Sequence, residues 1–248
     1  MRIITVANQK GGNGKTTTTL ALAQACAYRG LKVLCIDLDG QANLSTALGA
    51  NPNCGNAYDF LTGSKAARDC IQQTAQGIAL IAGCYDLAAL RTSTGSANRL
   101  QEAMKGIGGK YAYCFIDTPP NLGEAQYNAL QASTDLLITA QASLFDLQGL
   151  YTMADTAAQF MRTNPALKIA GYILTNHNGR SKLAKALEES IEKAARENGV
   201  RCLGIIRQGI AIREAQALAL SLYSYAPESN PAKDYLKIFD TLHNGSND

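Results

Sequence analysis

Short, unbroken apolar runs alternate along this chain with longer stretches whose apolar residues recur at helical spacing. Residues 2–7, 32–37, 111–117, 136–140, 169–175 and 201–206 read as buried strands, with a short strand at 78–82. Between them, residues 15–29 carry Leu20, Ala21, Ala23, Ala25 and Ala27 and stop near Gly30, the pattern of a buried helix. Further helices are predicted at 123–132, at 146–161 before Pro165, at 180–198 and at 231–243, with a weaker one at 65–75 and others near 86–91 and 96–106. Glu214 falls in a short helix, and Leu222-Tyr223 reads as a short edge strand. Residues 46–65 read as loops and turns, because Pro52 and Gly55 break any longer element. Strands alternating with helices imply right-handed crossovers, hence an α/β fold with a mostly parallel twisted sheet and helices on both faces. No linker or repeat interrupts the pattern, so residues 1–248 are expected to form one domain. In such a sheet, ligands bind beyond the carboxyl ends of the strands.

Composition narrows this little. A chain of 248 residues, 46% apolar and 17% charged, has ample material for a core. A net charge of +3 says less about partners than its distribution does. The seven cysteines include no C-x-x-C pair, and Cys35 and Cys114 lie inside strand-like runs, as buried free thiols in a reducing compartment do. Met1 leads directly into a strand, so no leader peptide is expected. No run of 18 or more apolar residues predicts a membrane span. His177 and His243 have no metal-site or triad neighbours in sequence and read as surface or loop residues.

The chemistry gathers at strand ends. Behind the first strand comes Asn8-Gln9-Lys10-Gly11-Gly12-Asn13-Gly14-Lys15-Thr16-Thr17, a glycine turn that opens a helix. Glycines let backbone N–H groups converge on phosphate oxygens, and the helix adds its positive end. Lys15 can reach β- and γ-phosphates, and the Thr16 hydroxyl can hold Mg²⁺, so this is a P-loop NTPase signature. Gln9 stands where the usual pattern has glycine, and Lys10 adds a second lysine that needs its own function. Asp117 ends an apolar strand and is placed to hold Mg²⁺ through a water, with Thr118-Pro119-Pro120 as a stiff exit. Asp37 and Asp39 end the second strand two residues apart; on an extended segment both would point toward the phosphates, one for the Mg²⁺ shell and one to orient water. A dinucleotide-binding turn would read G-x-G-x-x-G without the lysine–threonine pair, which disfavours that reading.

These motifs resemble the ParA/MinD group. K-G-G-x-G-K-T-T is similar to its deviant Walker A motif, Asp37 to Asn43 resembles the D-L-D-P-Q-G-N box of ParA proteins, and Asp117 to Pro120 resembles their Walker B. Leu147 to Leu150, Ile173 to Asn176, Arg213 to Ala215 and Tyr225 to Ser229 continue the likeness over nearly the whole chain. The resemblance is to the small form, without an N-terminal helix-turn-helix domain. It implies an ATPase with ATP and Mg²⁺ as cofactors that forms an ATP-dependent homodimer. In that dimer Lys10 reaches the other subunit's phosphates, while Lys10 to Thr17, that is Lys10, Gly11, Gly12, Asn13, Gly14, Lys15, Thr16 and Thr17, hold the nucleotide. Asp39 would position the attacking water; Thr16, Asp37 and Asp117 would serve the metal; Asn176 and Arg207 would lie near adenine.

The resemblance further implies nonspecific binding of duplex DNA, a ParB-like partner, and a cytoplasmic, nucleoid-associated protein. Residues 180–213 carry eight bases against four acids, and Arg180, Lys182, Lys185 and Arg213 are the expected DNA contacts. Departures are specific: Gly40-Gln41-Ala42 replaces P-Q-G, Arg207 replaces a proline near adenine, and Ala211 replaces a DNA-binding arginine. A MinD-like membrane role would need an amphipathic C-terminal helix where the chain has a polar tail, and an iron-protein role a cysteine soon after Asp117. Positioning of another protein cargo is the remaining alternative.

Overall fold

A computed structural model describes residues 1–90, 96–178 and 182–245. Eight strands form one sheet: β1 (Arg2–Ala7), β2 (Val33–Asp37), β3 (Gln72–Gln73), β4 (Ala79–Ile81), β5 (Tyr113–Asp117), β6 (Asp135–Ala140), β7 (Lys168–His177) and β8 (Cys202–Arg207). Their order is β3-β4-β2-β5-β1-β6-β7-β8, parallel throughout except for β3, which runs antiparallel to β4. The helices are α1 (Lys15–Tyr28), α2 (Asn43–Ala47), α3 (Ala57–Thr62), α4 (Ala67–Cys70), α5 (Arg99–Met104), α6 (Glu124–Ala132), α7 (Leu144–Phe160), α8 (Lys182–Glu197), α9 (Ala211–Ala217), α10 (Leu222–Tyr225) and α11 (Asn230–Asn244).

The continuous apolar strands follow from helices covering both faces. On β2, Val33 and Cys35 join the core beneath α1 and α11, while Leu34 and Ile36 join the core beneath α3, α5 and α6. A third cluster seals Leu136 and Ile138 of β6 against Leu150 and Met153 of α7 and Ile191 of α8. β1 sits centrally, with Val6 level with Asp117 of β5, and Asp37 of β2 is level with Asp117 in turn. That register brings three motifs, spread over about 100 residues of sequence, to one rim.

Four expectations need correction. Leu222 and Tyr223 form helix α10 rather than an edge strand: the Ser221 hydroxyl accepts the Tyr223 N–H at 3.3 Å, and Tyr223 is buried in a stack on Tyr28 with centroids 5.1 Å apart. Residues 46–65 are not all loop, because Asn56 and Asp59 build a capping box that starts α3 just after Gly55. The weak helix at 65–75 is a single turn, α4, followed by strand β3. His177 is not a surface residue: its side chain is 9% exposed, and Nε2 meets Glu188 at 3.2 Å.

Candidate functional site

The loop between β1 and α1 owes its path to two left-handed glycines, Gly12 (φ 79°) and Gly14 (φ 76°). Behind it, a Cβ on Gly14 would stand 3.4 Å from Thr175, whose hydroxyl donates to the Asn13 carbonyl at 3.1 Å, so β7 supports the loop from below. Lys15 is buried, and its ammonium donates to the loop's own Lys10 carbonyl at 3.0 Å; burial pulls its pKa down, and Asp117 and Asp39 oppose that shift. Lys15, Thr16 and Thr17 line a cavity of about 420 Å³ with Gly11, Gly12, Gly14, Asp39, Gln41, Asn43 and Pro120.

Lys10 points elsewhere. Its ammonium donates to Asp146 Oδ2 at 3.1 Å and to Ser143 Oγ at 3.2 Å, at the start of α7. Asp146 is fully buried and also accepts from the Asn13 amide and the Ser143 hydroxyl. Asn8 braces the same loop, accepting the Lys10 N–H at 3.0 Å while its amide donates to the Thr139 carbonyl. A Cβ on Gly149 would lie 3.0 Å from Asn8 Oδ1, so α7 and the loop meet closely. Neither Asp146 nor the bracing role of Asn8, the first residue of the loop stretch, is among the sequence expectations. The spacing Ser143-x-x-Asp146 before an apolar run was a cap signal, and Ser143 does cap α7.

The strand-end carboxylates divide their tasks. Asp37 and Asp39 do not face the same way, because β2 ends at Asp37 and the chain turns at once, with the Ala42 N–H on the Asp39 carbonyl at 2.9 Å. Asp37 is fully buried and organises this turn: Oδ1 accepts the Asp39 N–H at 3.1 Å, and Oδ2 accepts the Ser45 N–H at 2.9 Å and hydroxyl at 2.7 Å. A Cβ on Gly83 would come within 2.9 Å of its carboxyl carbon. Both Asp37 oxygens are thus engaged by the turn, and of the two carboxylates Asp39 alone lines the cavity. Burial pushes Asp37 up to about 6, against hydrogen bonds from Ser45 that lower it. Asp117 is pushed up to about 8, first by burial and then by the charge of Asp37, with the Thr16 hydroxyl opposing. One Asp117 oxygen, Oδ2, is buried without a hydrogen-bond partner. A buried carboxylate oxygen without a partner, on a carboxyl that the Thr16 hydroxyl also reaches, fits a hydrated Mg²⁺.

A second cavity of about 330 Å³ shares Gly12, Gly14 and Thr17 with the first and extends along β7 and β8. Asn176, in the left-handed region at φ 52°, lines it with Arg207, Gln208, Arg213, Gln216 and Tyr235. The basic residues of 180–213 do not share one face. A helix joining parallel β7 to β8 begins at the carboxyl ends and finishes at the amino ends. Lys182 and Lys185 thus start α8 at the nucleotide-loop rim, whereas Lys193, Arg196 and Arg201 lie at the opposite end. Lys185 is exposed, Arg207 is held by Asp234, and Arg213 reaches the second cavity; Arg180 lies outside the described residues.

Comparisons with known proteins bear on the family and the fold. A family model described as an AAA domain matches residues 1–169. Sporulation initiation inhibitor protein Soj of Bacillus subtilis is 31% identical over 247 residues, covering 96% of this chain and 96% of its own length. A ParA family protein of Chlamydia muridarum is 35% identical over 254 residues, covering 98% and 97%. The chain belongs to the ParA family. Among solved structures, septum site-determining protein MinD of Pyrococcus horikoshii, complexed with Mg-ADP, matches with a TM-score of 0.81 at 26% identity over 99% of this chain and 97% of that one.

Set against the ParA pattern, one departure has a physical consequence. Where the ParA box has glycine, Ala42 adopts φ 52°, ψ 35°, a left-handed conformation that costs an L-residue roughly 1 kcal/mol. Among the described residues no helix is long and apolar enough to cross a membrane.

Proposed function

We propose that this ParA-family chain is a Mg²⁺-dependent ATPase that dimerises on ATP, holds duplex DNA without regard to sequence, and releases it on hydrolysis. The observation that carries the reading is the pair of lysines on one glycine loop, Lys15 donating to the loop's own Lys10 carbonyl and Lys10 turned away from it to Asp146. Lys15, the loop N–H groups and the positive end of α1 would neutralise the β- and γ-phosphate oxygens. Thr16 and Asp117 would hold Mg²⁺, which screens charge on those phosphates. Asp39, at the open side of the same cavity, accepts the Gln41 N–H at 2.9 Å through one oxygen, leaving the other to orient a water toward the γ-phosphorus. Attack breaks the bond between the β–γ bridging oxygen and the γ-phosphorus, giving ADP and phosphate.

Lys10, once released from Asp146, supplies a cation to the phosphates of a second copy, which makes assembly depend on an intact γ-phosphate. Lys185 and Arg213 would face DNA from the carboxyl-end rim of the sheet, and dimerisation would double that charge. Similarity to chromosome partitioning protein ParA of Caulobacter vibrioides, 30% identical over 248 residues covering 96% of this chain and 92% of that one, supports a partition role, which a ParB-like partner would couple to cargo. Likeness to MinD keeps a second reading, in which the same switch positions a protein cargo.

The test is sedimentation with ATP, ADP and no nucleotide, together with phosphate release, for the wild type and Asp39→Ala. The wild type should dimerise only with ATP, and Asp39→Ala should remain dimeric while losing about 10²-fold or more in turnover. A wild type that stays monomeric with ATP, or an Asp39→Ala variant with normal turnover, would overturn the reading.

A further inference from the structure

The far end of the second cavity is walled by an arginine whose hydrogen-bonding edge is already taken. Arg207 ends β8 and lines the cavity. Asp234, on α11, accepts its backbone N–H at 3.0 Å and its Nε at 3.0 Å through Oδ2, and its Nη2 at 2.7 Å through Oδ1. A carboxylate gripping both the main chain and the guanidinium fixes the plane of that group rather than merely its charge. The Asp234 side chain is 14% exposed and that of Arg207 51%, so one face of the pair is set against protein while the guanidinium stays accessible.

Neighbouring contacts hold the same wall. A Cβ on Gly209 would stand 2.8 Å from Pro231, so the loop after β8 lies directly on the start of α11. The Gln208 N–H donates to the His177 carbonyl at 3.1 Å, tying that loop to β7 beside Asn176. Tyr235, next to Asp234, lines the cavity and shares a hydrogen bond of 3.0 Å with Thr18 of α1. α11 therefore frames the cavity from both the loop side and the α1 side.

We propose that Arg207 is a base-stacking residue of the nucleotide site and that Asp234 is its positioning residue. A guanidinium is planar and weakly hydrated, and it stacks on aromatic rings. With Nε and Nη2 committed to Asp234, what Arg207 offers a ligand is chiefly its face. The side chains around it, Asn176, Gln208 and Gln216, are neutral amides suited to the polar edges of a base, and the phosphate loop closes the other end of the space. The inference rests on the nucleotide-binding reading above and deepens it.

Calorimetric binding of Mg-ATP and of Mg-tripolyphosphate, which has the phosphates but no base, tests it on the full chain. The wild type is compared with Arg207→Ala, Arg207→Lys, which keeps charge but loses the plane, and Asp234→Asn. Stacking of this kind predicts about a tenfold loss of ATP affinity in both Arg207 variants and a smaller loss, about threefold, in Asp234→Asn. Tripolyphosphate affinity should stay within about twofold in all of them. Unchanged ATP affinity in Arg207→Ala, or full ATP affinity in Arg207→Lys, would overturn the stacking role. ATP and tripolyphosphate weakening together would overturn it too, by showing that the ion pair serves only to hold the fold. A wild type that binds neither ligand would defeat the nucleotide reading itself.

Discussion

The Lys10 ammonium lies 3.1 Å from Asp146 Oδ2, inside one copy of the chain. Any contact between Lys10 and a second copy's phosphates must first give up this pair, so self-association competes with an internal ion pair. The carboxylate is fully buried and the lysine is half-exposed, so Lys10 can leave while Asp146 keeps the Asn13 amide and the Ser143 hydroxyl. Lys10→Ala should therefore bind ATP within about threefold of the wild type, yet fail to dimerise on ATP. Parallel calorimetry and sedimentation check this, and an ATP-dependent dimer of Lys10→Ala would contradict it.

Asp146 itself is a different case. Removing the buried carboxylate takes the acceptor from the buried Asn13 amide and from the Ser143 hydroxyl, and Asp146→Ala should lose about 3 kcal/mol of stability. Urea unfolding measures it; a change below about 1 kcal/mol would mean that Asp146 is not the organising centre of the loop.

Ala42 gives a prediction of opposite sign. Glycine at a left-handed position carries no Cβ penalty, although it adds some entropy to the unfolded chain. Ala42→Gly should raise stability by about 0.5–1 kcal/mol without altering ATP affinity. A loss of stability would show that the turn does not hold Ala42 at φ 52° in solution.

Asp117 makes stability depend on pH when nucleotide and divalent cation are left out. Its carboxyl is pushed up to about 8 in the folded chain, from an ordinary value of 3.8, chiefly by burial. Between those values the folded state binds more protons than the unfolded one, so stability falls as pH rises. Asp37, raised to about 6, adds to the slope in the lower part of that window. Thermal unfolding from pH 5 to 8.5 should show the decline, and Asp117→Asn should flatten the upper part. An unchanged slope in Asp117→Asn would contradict the assignment.

These contacts also mark what the chain's pattern of residues can and cannot convey. β1, the glycine loop, α1 and the meeting of Asp39 with Asp117 were legible, because a parallel sheet brings its strand ends to one rim whatever the sequence separation. Asp146 and Asp234 were not, since their partners Lys10 and Arg207 are set by how α7 and α11 pack against the rim, and no local spacing encodes that approach. Asp37 and Asp39 diverge because β2 ends at Asp37, so the alternation of an extended strand does not continue through the turn that follows. Leu222 and Tyr223 misled for a related reason: two apolar residues satisfy strand and helix equally, and the Ser221 cap with the Tyr28 stack decided for helix. The basic run at 180–213 looked like one patch because charge counts ignore that a crossover helix spans the height of the sheet.

The most direct test of the central claim is binding to nonspecific duplex DNA, with ATP, ADP or no nucleotide, over a range of salt concentrations. The wild type and Asp39→Ala should bind only with ATP, with affinity falling steeply as salt rises; Lys185→Ala should lower the log–log slope by about 1. An ATP-bound dimer that ignores DNA at low salt would contradict the account and leave a switch that positions some other cargo.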